Sequence, residues 1–121
     1  VRREEFSAAG GRTQAERLLS LPEPPTAIVA GCDSQAFGVL QALGARGLRA
    51  PGDLSVVGFD DVQMASWATP ALTTIRQPLA AMAATGFGML RSDPATASGE
   101  PHHIELATTL VVRDSTAPPR S

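Results

Sequence analysis

Two short apolar runs end in groups able to do chemistry. Thr26 to Ala30 gives way to Gly31, Cys32 and Asp33, and Leu54 to Phe59 gives way to Asp60 and Asp61. A carboxylate can accept from ligand hydroxyls, act as a general base, or satisfy backbone N–H groups where a helix starts. For the Asp60–Asp61 pair the reading is that one caps the next helix while the other faces a cleft. Asp33 reads as a helix cap. Cys32 reads either as a small buried hydrophobe or, from its place at the end of the run, as a residue lining the cleft. His102 and His103 are adjacent and lack the spacing and third ligand of a metal site, so they read as surface residues; no metal and no cofactor is expected. No local Ser/His/Asp or Cys/His motif and no glycine-rich phosphate loop is present, which argues against an enzyme. A phosphoacceptor receiver domain would need a further acidic pair and a lysine, and the chain has no lysine.

The elements that would position these groups follow from periodicity. Ala8 to Leu21 carries apolar residues mostly on one face and reads as a helix stopped by Pro22, Pro24 and Pro25. The run 26–30 reads as a strand covered on both faces. Asp33 or Ser34 can cap a second helix, which passes through Phe37, Leu40 and Leu43 to Gly47, whose left-handed conformation would stop it. Residues 48–53 are turn chemistry, and 54–59 reads as a second buried strand. Strand, helix and strand joined by short loops make a βαβ unit, hence a parallel pair and an α/β fold. In open parallel sheets, ligands collect at the carboxyl ends of the strands, where Cys32, Asp33, Asp60 and Asp61 all lie. Leu72 to Ile75 reads as a third strand. Pro78 opens a helix carrying Leu79, Met82, Ala83, Phe87 and Leu90, which Ser92 to Pro94 ends. Residues 104–106 and 110–112 read as strands, and 115–121 as a tail. No strand precedes the first helix, so the sequence reads as a piece of a longer protein.

The 121 residues suffice for one core, with 43% hydrophobic and 18% charged residues, the balance of a globular chain. No apolar run approaches the roughly 20 residues that span a bilayer, and no secretory signal opens the chain, so the expected location is cytoplasmic. The lone cysteine agrees with a reducing compartment. A net charge of −2 without a basic block excludes a segment that itself grips DNA.

Four stretches in order, 25–34 (PTAIVAGCDS), 47–61 (GLRAPGDLSVVGFDD), 69–78 (TPALTTIRQP) and 110–116 (LVVRDST), resemble the C-terminal half of LacI/GalR-family transcription regulators. The resemblance covers nearly the whole chain. It implies a periplasmic-binding-protein-like core of two α/β lobes around a cleft, behind a helix-turn-helix headpiece that this chain lacks. Residues 1–77 would belong to the C-terminal lobe, 78–106 would return to the N-terminal lobe, and 107–121 would form the closing strand and tail. The effector, a sugar or similar small molecule, would meet Arg2, Cys32 and Asp60. Cys32 stands where many members carry Asn, which removes an amide donor and acceptor at that contact. The helix from Ser34 and the segment after Asp60 would meet a second copy of the chain, so Phe37, Leu40, Met64 and Trp67 read as either dimer interface or core. Operator DNA would be bound through the headpiece. The rival of the same fold is a secreted sugar-binding protein; the closing LVVRDST and the DLSVVGFDD wording favour the regulator.

Overall fold

The computed structural model describes residues 5–91 and 103–119. Helix α1 (Ala8–Leu18) begins at Ser7, whose hydroxyl accepts from the Gly10 N–H at 3.1 Å and so satisfies one of the otherwise unpaired amides of the first turn. It ends a turn earlier than the apolar spacing suggested, with Leu19 as its C-cap. Strand β1 (Ala27–Val29) runs parallel to β2 (Ser55–Val57), with Ala27 beside Ser55, Ile28 beside Val56 and Val29 beside Val57. Helix α2 (Asp33–Ala45) crosses between them, which is the βαβ unit expected. Its stop is also as expected. Gly47 takes φ +70°, and the turn it permits lets the Leu48 N–H reach the Leu43 carbonyl at 2.9 Å.

After β2 the chain forms the short helix α3 (Gln63–Trp67), then β3 (Thr74–Arg76), helix α4 (Leu79–Arg91) and β4 (Thr109–Val111). A parallel bridge from Val57 to Thr73 joins β2 to the approach to β3, and β3 pairs with β4. The segment after β4 returns to the β2 side. Ser115 is fully buried; its hydroxyl donates to the Val56 carbonyl at 2.6 Å and accepts from the Thr73 N–H at 2.8 Å, while its own carbonyl accepts from the Val56 N–H. One serine thus satisfies backbone groups of both segments beside their bridge.

The core is built from Ala15 of α1, Ala36, Val39, Ala42 and Leu43 of α2, Leu54 and Val56 at β2, Ala65 of α3 and Leu72 before β3. Helices α1 and α2 pack backbone against backbone. A Cβ on Gly11 would collide with the Gln35 carbonyl, and one on Gly38 with the Ala8 carbonyl and, at 2.6 Å, with the Arg12 nitrogen.

Two expectations fail. The strand 26–30 is not covered on both faces: Ile28 and Ala30 are half-buried, the other three are exposed, and Val29 is 77% exposed. An apolar run records which residues need cover, not whether the described chain supplies it, and the far edge of β1 has no partner among the described residues. The space beside it, about 340 Å³ lined by Gly11, Gln14, Leu18, Val29, Gly31 and Gln35 among others, is open. The second failure is Ile104 to Leu106, which forms no strand, since strand geometry persists only as one side of a ladder. Ser92 to Pro94 and His102 lie outside the described residues, as does the end of the tail.

The chain divides into two units, Val1–Arg76 with Leu110–Ser121, and Gln77–Thr109. The second holds α4, which has no buried residue; Met82, Met89, Ile104 and Leu106 line an open apolar groove there.

Candidate functional site

The carboxyl end of β2 is held from three directions. Asp60 donates its N–H to the Ile75 carbonyl at 2.9 Å, continuing the parallel register with β3, and Gly58 does the same to Thr73. Asp33 lies beneath. It is fully buried, and its carboxylate accepts from the Thr74 hydroxyl at 2.5 Å and from the Val62 N–H at 2.8 Å, while its own N–H donates to the Phe59 carbonyl. Asp33 is therefore not the cap of α2 that its position suggested. The N-cap is Cys32, which makes no side-chain cap bond, and Asp33 is the first helical residue, bonding across to the loop and β3 instead of along its own helix. Gly58 is required by this arrangement, because a Cβ there would overlap the Asp33 Oδ1.

Over this support the backbone bends unusually. Asp60 has φ +117° and Asp61 φ +55°. Aspartate tolerates the left-handed region better than most residues, yet such conformations cost on the order of 1–3 kcal/mol each and persist only where surroundings enforce them. The enforcement is visible at Asp61. Its side chain is 8% exposed; one oxygen accepts from Arg76 Nε at 2.6 Å and the other from Arg113 Nη2 at 2.7 Å. Burial alone would push the Asp61 carboxyl up, but the bonds and charge of Arg113 and then Arg76 outweigh it and hold it below its ordinary value. Arg113 is itself fixed, donating through Nη1 to the Leu72 carbonyl and through its backbone N–H to the Thr73 hydroxyl.

The two aspartates thus divide their roles, though not as the sequence suggested. Neither caps α3, whose N-cap is Val62. Asp61 is turned inward to two arginines, and Asp60 is left half-buried at the strand end. A carboxylate in that position is an acceptor of charge-assisted bonds from hydroxyls or N–H groups. Cys32 is buried at 9% exposure at the neighbouring strand end. Arg2 lies outside the described residues. Among the described residues no group of three or more metal-ligating side chains is gathered. His103 is exposed and pairs with exposed Glu105 at 3.3 Å.

The residues expected at a dimer contact fall into two kinds. Phe37 and Leu40 are half-buried against the core of the unit. Met64 and Trp67, on α3, are 59% and 70% exposed. Sequence reasoning gave no role to Arg76, Arg113 and Ser115, although they stand in two of the stretches that carry the resemblance, because their partners lie 15 to 59 positions away.

The parallel βαβ unit defines an α/β domain, and over residues 1–116 the chain matches, and belongs to, the periplasmic binding protein-like domain family. Its curated relatives are more particular. An HTH-type transcriptional regulator in the aml 5′ region of Streptomyces limosus is 44% identical over 117 residues, covering 97% of this chain and 33% of that protein. The HTH-type transcriptional repressor PurR of Escherichia coli is 40% identical over 113 residues, 93% of this chain and 33% of the repressor. Among solved structures, a LacI family transcriptional regulator from Enterococcus faecium with bound ribose superposes with a TM-score of 0.82 at 31% identity, over 96% of this chain and 42% of that one. A LacI family regulator from Lactobacillus casei with bound sucrose gives 0.76 at 31%, over 92% and 41%. The chain spans about a third of the length of the curated relatives it matches. The likeness to LacI/GalR-type regulators carried by the four sequence stretches is the likeness these comparisons find.

Proposed function

We propose that this chain is the effector-sensing and dimerising part of a LacI/GalR-type transcription repressor, and that Asp60 is the acceptor for a sugar or a similar polyhydroxylated molecule. The observation that carries the reading is the strained, half-buried Asp60 at the carboxyl end of a parallel strand, a position where such sheets bind ligands. Relatives with ribose and sucrose bound support the ligand class. Arg2 would add a donor fork and Cys32 would line the cleft. The apolar surface of Phe37, Leu40, Met64 and Trp67 would pair two copies, and DNA would be read by a headpiece outside this chain, whose net charge of −2 offers phosphate no footprint. Residues 78–106 would pass through the second lobe. The protein would act in the cytoplasm without catalysing a reaction; no described helix is long and apolar enough to cross a membrane.

Calorimetric titration of the full gene product with a panel of monosaccharides and disaccharides, ribose and sucrose included, tests the ligand class. The expected outcome is saturable heat with at least one of them. The companion expectation is that the 121-residue chain alone leaves operator DNA unshifted in an electrophoretic mobility assay; salt-sensitive binding by the chain itself would overturn the assignment of DNA reading elsewhere.

A further inference from the structure

We infer that Asp61 is a positioning residue: its carboxylate fastens the strained Asp60 loop to both segments through which the chain passes from one unit to the other. The chain leaves the first unit after Arg76 and re-enters it at Leu110. The two guanidinium groups on Asp61 come from those places, Arg76 at the exit and Arg113 three residues past the return. A loop bearing a candidate ligand contact and the two crossings are thereby joined at one buried carboxylate. Arg113 extends the junction, since its bonds to Leu72 and Thr73 hold the return segment against the approach to β3. Pairing of β3 with β4 already holds the crossings to each other; what Asp61 adds is their connection to the Asp60 loop. Asparagine there would keep the size but lose the charge and one acceptor oxygen, so at most one arginine would retain its bond.

The inference rests on the proposed effector role of Asp60 for its consequence in binding, but its geometry is testable without any ligand. Amide hydrogen exchange would be followed by mass spectrometry on the full gene product at neutral pH, for wild type, Asp61→Asn and Arg113→Lys. The expected result for Asp61→Asn is exchange about tenfold faster, together, in residues 58–62, 72–76 and 110–113, with a clearly smaller rise in residues 27–30 and 55. Arg113→Lys, which keeps the charge but not the second bond, should give a smaller rise in the same three segments. Acceleration at 58–62 alone, or equal acceleration everywhere, would overturn the inference, the first because the crossings are not coupled and the second because Asp61 is merely stabilising. Titration with ribose and sucrose then separates the two readings. If wild type binds either sugar, Asp61→Asn should bind it at least tenfold more weakly, and unchanged affinity would overturn the positioning role. If wild type binds neither of these nor any other sugar of the panel, the sugar reading fails while the exchange pattern still decides the junction.

Discussion

At Asp60 the sequence and the backbone speak to the same residue by different routes. Position at the end of an apolar run marked it as a candidate contact, and its φ of +117° gives an independent reason to look there, because unfavourable backbone states gather where function holds them. Asp61, equally prominent in sequence, has its two carboxylate oxygens engaged by Arg76 and Arg113. Asp60→Asn should therefore weaken effector binding by roughly 1.5–3 kcal/mol, the range for losing bonds to a charged group, with little change in the unfolding midpoint. Calorimetry on the full gene product checks it, and unchanged affinity would reduce Asp60 to a turn residue. Only the family resemblance singles out Asp60; the local pattern does not separate adjacent aspartates, since their difference is made by two arginines, one of them 52 positions away. Asp33 was misread for a related reason. Its place at a helix start is what a cap would have, and only the fold brings Thr74 and Val62 to it.

The elements themselves were largely legible, because α1, β1, α2 and β2 are each specified by local periodicity, prolines and Gly47. What periodicity does not record is how closely two elements approach. Gly11 and Gly38 look like weak points in their helices, yet they let α1 and α2 meet backbone to backbone, where any Cβ collides with a carbonyl. Helix propensity alone predicts that Gly38→Ala stabilises by about 1 kcal/mol. The packing argument wins, because overpacking against rigid backbone costs roughly 1–3 kcal/mol or more and the colliding atoms are not the end of a flexible side chain. Urea unfolding should show net destabilisation, with Gly44→Ala, a helical position with open space, neutral or slightly stabilising. Exposure also refines the dimer surface. Phe37 is half-buried against the core, so a charge there would disturb packing as well as association. Trp67, 70% exposed on α3, is the cleaner probe. In the full gene product, Trp67→Glu introduces its charge twice at a two-fold contact and should shift sedimentation toward monomer while the circular dichroism spectrum stays intact. An unchanged dimer would remove α3 from the interface.

For the whole molecule, the open edge of β1 and the uncovered α4 show a domain whose apolar surfaces outrun the cover that the described residues provide. That pattern was only partly legible, since a sequence marks surfaces that need burial without saying which stretch of chain buries them. The junction at Asp61 gives the molecule a dependence on acidity whose direction can be worked out. Its carboxyl titrates below the ordinary value of 3.8 in the folded state, so the folded protein holds on to the charge more strongly than the unfolded chain does. The stability this contributes is fully present above the unfolded value and is lost as the pH falls through the lower, folded one. Asp61→Asn lacks that contribution at every pH. Wild type should therefore exceed the variant in unfolding midpoint at neutral pH, and the gap should close only in strongly acidic solution, below about pH 4. Urea is the denaturant to use, because guanidinium chloride would screen the ion pairs being measured. Added sodium chloride should narrow the gap only in part, since Arg76 is open to solvent but Arg113 is 17% exposed and the carboxylate 8%. A gap that stayed constant from neutral to acidic pH would mean that the variant is destabilised by altered packing and not by loss of the charge.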